Sequence, residues 1–201
     1  MGKLKAAIFM FLLLLFCPLV SFGAEVYFKG GLGVSSIENY NRFFKDYPAF
    51  IQEDGSVSLN LSVLSLFESK YLYLQGEFFT VSSQSSVYYY TGEVNDYSIY
   101  ATYLGVSAGI FSQQGEYYFL VGPMFSMKLN ELFTAGYENF STDFLEDFPW
   151  WFTVEVGRQF YGKKFLVGIK FLKSLSAVLK PYNGKVAILS FVFSYRFSNN
   201  R

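Results

Sequence analysis

Eight stretches of this chain carry their side chains in a period of two, and the connections between them alternate between tight and long. A period of two places successive residues on opposite faces of an extended strand. The tight connections are Glu68-Ser69-Lys70, Gln113-Gln114-Gly115-Glu116 and Gly162-Lys163-Lys164. The long ones cover 37–56, 83–96, 128–148 and 174–184. Together they describe four hairpins. A β-strand tilted near 45° crosses a bilayer in about 9–11 residues, and the stretches here meet that length. The rhythm is therefore that of a closed antiparallel barrel built to stand in a membrane.

The alternation is cleanest at 57–63. Val57, Leu59, Leu61 and Val63 share one face, and Ser58, Asn60 and Ser62 share the other. The remaining strands are read at 25–35, 71–82, 97–111, 117–127, 150–161, 165–173 and 185–197. Their apolar faces carry Leu72, Leu74 and Phe78; Tyr100, Leu104, Val106 and Ile110; Phe152, Val154 and Val156; Val167, Ile169 and Phe171; and Leu189, Phe191 and Phe193. The strand at 117–127 is apolar on both faces, so its inward side stays open. Pro123 within it removes a ladder donor and predicts a bulge, because a closed barrel has no edge to hold a proline. Arg158 falls on the outer face beside a tight turn, where its head can reach the interface. Aromatics gather near strand ends at Tyr71, Tyr73, Tyr88, Tyr89, Tyr90, Tyr117, Tyr118, Trp150 and Trp151. Girdles of this kind mark the two membrane–water boundaries.

Composition agrees. Charged residues make up 16% of the chain, low for a soluble domain, and aromatics 22%. The net charge is zero, so nothing argues for nucleic acid as a partner. Residues 1–23 read as a secretory signal, with Lys3 and Lys5 preceding an apolar run from Ala6 to Val20 and small residues Ser21 and Gly23 before the cut. Cleavage falls after Gly23 or Ala24, leaving 24–201 as one barrel domain. Cys17 is the only cysteine and lies inside the signal, so the mature chain has no thiol for a disulfide, a nucleophile or a metal site.

The chain also has no histidine. A serine at neutral pH needs a neighbouring base to become nucleophilic, so Ser-His-Asp chemistry is impossible, as is a histidine metal centre. No catalytic residue, metal ligand set or cofactor is read from the sequence, and the protein is expected not to be an enzyme. Two sets of residues remain as candidate sites. Lys29, Glu77, Glu155, Lys170 and Arg196 are predicted to point inward, where ionisable groups must pair or meet water. They read as a salt-bridged plug or, alternatively, as the lining of a pore. Phe43, Phe44, Tyr47, Phe140 and Phe144 lie in the long loops among mixed charges and read as a binding surface. The carboxylates Glu131, Glu138, Asp143, Glu146 and Asp147 have no fixed ligand spacing.

The last strand, Ser190-Phe191-Val192-Phe193-Ser194-Tyr195-Arg196-Phe197, resembles the C-terminal signal of small outer-membrane barrels, with Phe193, Tyr195 and Phe197 as its aromatic positions. The mature chain as a whole resembles the eight-stranded OmpA/OmpX-like proteins in architecture rather than in motif. Phe197 is followed by Ser198 to Arg201, whereas the aromatic often ends those chains. The resemblance implies an up-and-down eight-stranded barrel in the outer membrane of a Gram-negative-type cell, with both termini periplasmic. It implies outer-membrane lipid and lipopolysaccharide as surroundings, the barrel-insertion machinery as a partner during biogenesis, and an extracellular protein or ligand at the loops. The expected role is non-catalytic, in envelope structure or surface binding. Two alternatives stand beside it: a narrow channel for small or hydrophobic molecules, and a soluble periplasmic calycin-like binding barrel. The direction of Leu59, Leu61 and Phe193 separates the last from the others, since a soluble barrel turns them inward.

Overall fold

The computed structural model describes residues 25–38, 49–54, 56–67, 71–135, 138–140, 144–180 and 183–198; within these, the side chains of 49–54, 138–140 and 198 are outside the description. The chain is all-β. Its strands are β1 (Glu25–Ile37), β2 (Ala49–Asp54), β3 (Ser56–Leu66), β4 (Leu72–Tyr89), β5 (Val94–Gln114), β6 (Tyr117–Ala135), β7 (Glu138–Phe140), β8 (Trp150–Phe160), β9 (Phe165–Ser174) and β10 (Val186–Ser198). Eight of them form the wall, each antiparallel to its neighbours, in the order β1-β3-β4-β5-β6-β8-β9-β10. The ring closes where β1 pairs with β10, from Val26 opposite Ser198 to Ile37 opposite Val186. Closure satisfies every strand edge, which a β-structure in hydrocarbon requires. The short β2 and β7 extend the wall beyond the ring, β2 along β4 and β7 along β6.

The side chains sort as the period of two demands. Leu32, Val57, Leu61 and Phe191 are 60–64% exposed on the outer surface, with Leu59, Ile169 and Leu189 beside them. Leu59, Leu61 and Phe193 all point outward, so the barrel is not a soluble calycin-like pocket lined by these residues. On β6, the ambiguous strand, Phe119, Pro123 and Phe125 face out while Tyr118, Leu120 and Met124 face in. Two belts of exposed aromatics border the apolar band. Tyr71, Tyr117, Tyr161 and Phe197 lie toward the tight turns, and Phe148 and Trp150 toward the long connections. Arg158 lies outside, bonded to Glu116 at 2.5 Å with its guanidinium 5.2 Å from the Phe160 ring.

Three expectations are corrected. Pro123 makes no bulge. The β5–β6 ladder skips Ala108 and Gly109 opposite it and resumes in the same register, so the missing N–H costs local pairing without inserting a residue. The register shift sits instead between Thr102 and Tyr103, with Leu129 as the extra residue on β6. The connection at 83–96 is not a long loop. β4 and β5 run on to Tyr89 and Val94, because Ser83, Ser85 and Val87 still alternate inward against exposed Gln84 and Tyr88. The connection beginning at 128 likewise starts as strand, since β6 continues to Ala135.

Candidate functional site

The lumen is built in three layers. Nearest the tight turns, Tyr27, Leu64, Leu66, Tyr73, Phe111, Tyr118, Leu120 and Leu166 pack into one apolar cluster. Glycines make room for its rings. A Cβ on Gly168 would lie 2.6 Å from the Tyr118 hydroxyl, and one on Gly122 would lie 2.8 Å from the Tyr73 hydroxyl. The tyrosines therefore lie flat across facing glycines, which fills the lumen where the wall has no side chains of its own.

The middle layer holds the charges. Lys29 on β1 binds Glu155 on β8, Nζ to Oε2 at 2.7 Å, across the lumen. Lys170 on β9 binds Glu77 on β4. Gln75 joins the two pairs, accepting from Lys29 at 3.3 Å and donating to Glu77 at 3.1 Å. It also donates to Ser62 at 3.2 Å. Tyr118 donates to Glu155 at 2.8 Å. All four charged groups are buried. Two positive and two negative charges cancel within one hydrogen-bonded chain, the arrangement that makes ionised groups tolerable in a low-dielectric interior.

Arg196 is not part of this layer. Register explains why: Ser194 is the β10 residue opposite Lys29, so Arg196 stands one inward position nearer the rim. There it binds Glu25 at 3.1 Å and the Gly162 carbonyl at 3.3 Å. Of the five residues the sequence proposed, four are found together. The sequence missed Tyr118 and Gln75 as members, Tyr118 because both faces of its strand are apolar.

The third layer, toward the long connections, is an apolar core with no counterpart in the sequence reading. Phe79, Val81, Val87, Ile99, Tyr103, Met124, Trp151, Leu172 and Ile188 from the wall enclose Leu145, Val178 and Leu179 from the connections. Phe79 stacks on Tyr103 at 5.5 Å and meets Trp151 edge-on at 5.2 Å. The connection segments are pinned by polar contacts. Lys128 donates to the Leu145 carbonyl at 2.6 Å and pairs with Glu131 at 2.7 Å. Glu131 in turn accepts the Phe144 amide at 2.9 Å. Glu146 N donates to Val178 O at 2.7 Å, and Tyr103 donates to Glu146 O at 3.2 Å. Among the described residues the lumen is thus filled at every level.

The loop aromatics fare differently from one another. Phe43, Phe44 and Tyr47 lie outside the described residues. Phe140 is in β7, opposite Phe133, with its side chain outside the description. Phe144 is no free surface group: its ring meets Phe133 edge-on at 5.3 Å and packs against the third layer. Leu145 behind it is fully buried, and this adjacency turns the segment inward. Phe193, Tyr195 and Phe197 stand on the outer surface, where Phe165 lies 5.6 Å from Phe193 and 5.3 Å from Tyr195. Among the described residues no group of three carboxylates or other ligands is placed to hold a metal ion.

No family model and no curated protein matches the sequence. Among solved structures, Neisserial surface protein A aligns with a TM-score of 0.54 at 11% identity, over 87% of this chain and 99% of that one. Ail, the attachment invasion locus protein of Yersinia pestis, aligns at 17% identity over 86% of this chain and 99% of its own, with a TM-score of 0.43. At such identities the likeness is one of fold. In architecture this chain shares the small eight-stranded β-barrel fold of Neisserial surface protein A.

Proposed function

We propose that this protein is an integral outer-membrane barrel with a non-catalytic role in envelope structure or surface binding, exercised at its long-connection end. The observation that carries the reading is the combination of an apolar outer band with a lumen sealed by three packed layers. A barrel that conducts needs a continuous polar path, and an enzyme needs an accessible constellation of reacting groups. Here the charges are spent on one another and capped on both sides by apolar clusters. What remains for interaction is the outer surface of the extended strands and their connections. Bacterial barrels of this kind carry short turns on the periplasmic side and longer connections outside, so both termini are assigned to the periplasm. In planar bilayers the purified protein is expected to give no stepwise conductance. Resolved channel openings that change when Lys29 or Lys170 is neutralised would replace this reading with the channel one.

A further inference from the structure

Strands β4, β5 and β6 hold 18, 21 and 19 residues, against 10–13 for the other wall strands. Their surplus rises past the apolar band as a sheet extension toward the long connections. Its inner face is core: Ser85, Val87 and Ile99 are buried. Its outer face is not a continuation of the apolar band. Gln84 stands opposite Ser98, and Ser98 opposite Thr134; one step farther out, Ser86 stands opposite Asp96. These five side chains share one face because positions two apart on a strand do. They line a shallow concavity of about 260 Å³. Exposed rings border it along the strands, Tyr88 on the outer side and Tyr100 on the membrane side, each just under two-fifths exposed.

We propose that this strip binds uncharged saccharide, either the headgroup of a membrane glycolipid or a free glycan. Three features select that chemistry. The lining is hydroxyl and amide groups, which both donate and accept, and one carboxylate, which accepts; together they match sugar hydroxyls. Lys and Arg are absent from the lining, and Asp96 makes it acidic, so phosphate and sulfate are disfavoured. Tyrosine beside serine gives rigid, amphipathic contact area next to adaptable hydrogen-bonding groups, the mix that recognition surfaces use. Ser86 donates to Asp96 at 2.7 Å, which fixes the carboxylate over the concavity before any ligand arrives. The strip begins one outward position beyond the exposed ring of Tyr100 on β5.

This proposal rests on the surface-binding reading above. The test uses the full mature chain folded in a zwitterionic detergent, which brings no competing sugar. Free maltotriose, chitotriose and dextran sulfate are titrated against it by calorimetry. In parallel, a Tyr100→Trp variant, which puts a reporter beside the strip, is compared with the wild type for added tryptophan quenching in nanodiscs containing brominated digalactosyl diacylglycerol or brominated phosphatidylglycerol. Binding of a neutral oligosaccharide, or selective quenching by the galactolipid, is expected, and the arm that responds identifies the source. The Gln84→Ala/Asp96→Ala pair and Tyr88→Ser should each weaken it at least tenfold while heat-modifiable gel migration persists. Response in neither arm, preference for dextran sulfate or phosphatidylglycerol, or binding unchanged in both variants overturns the proposal. Loss of heat-modifiable migration in the wild type would instead overturn the membrane-barrel reading, so the two failures are distinguishable.

Discussion

Replacing Lys29 with methionine removes one charge from the middle of the lumen and leaves its partner behind. Glu155 then keeps only the Tyr118 hydroxyl, having lost two contacts to Lys29 at 2.7 and 2.9 Å. Both side chains are at most 2% exposed, so water cannot replace what is lost. Stranding one member of a buried ion pair costs about 3–5 kcal/mol. Gln75 also loses a donor, which falls within the same range. The double variant Lys29→Met/Glu155→Gln strands no charge, and the amide oxygen introduced on β8 can still accept from Tyr118. It should cost only about 0–2 kcal/mol, less than Lys29→Met alone and far less than the sum of the two single variants. Urea unfolding in phospholipid vesicles, followed by tryptophan fluorescence, measures both numbers. If Lys29→Met costs under about 1 kcal/mol, or if the double variant costs the sum of the singles, the neutralised-plug argument is wrong.

Arg196→Met, by contrast, removes a rim contact to the partly exposed Glu25 and should cost about 0–1 kcal/mol in the same assay. Leu61→Arg places a charge on the lipid face and should cost about 2–4 kcal/mol near the midplane, whereas Ser62→Lys, one residue on, perturbs only the lumen around Gln75. Gly168→Ala should cost about 1–3 kcal/mol, because its Cβ meets the Tyr118 hydroxyl and the Val156 carbonyl, each at 2.6 Å; Tyr118→Phe in that background should recover part of the loss. For orientation, chymotrypsin added to intact cells should cut at Tyr90, which is 86% exposed at the β4–β5 tip, and spare Tyr161, which is 81% exposed beside the 162–164 turn; the reverse pattern would invert the assigned topology.

The period of two was enough to determine strand identity, wall membership and the direction of nearly every side chain. A lipid-facing barrel forces strict alternation, so the signal survives in the local sequence: Leu59, Leu61 and Phe193 could be assigned outward, and Lys29, Glu77, Glu155 and Lys170 inward, without any knowledge of pairing. Where both faces are apolar the signal disappears. Tyr118 and Leu120 face inward on β6 only because the ring places a filled lumen there rather than lipid. Height within the barrel is also not a local property. It depends on the stagger of neighbouring strands, and that stagger sets Lys29 level with Ser194 while leaving Arg196 at the rim. The inward fold of 144–146 was likewise invisible: Phe144 among carboxylates read as part of an exposed recognition loop. Only the tertiary structure supplies the apolar mouth, lined by Phe79, Tyr103 and Trp151, that makes burying Leu145 and Leu179 more favourable than exposing them.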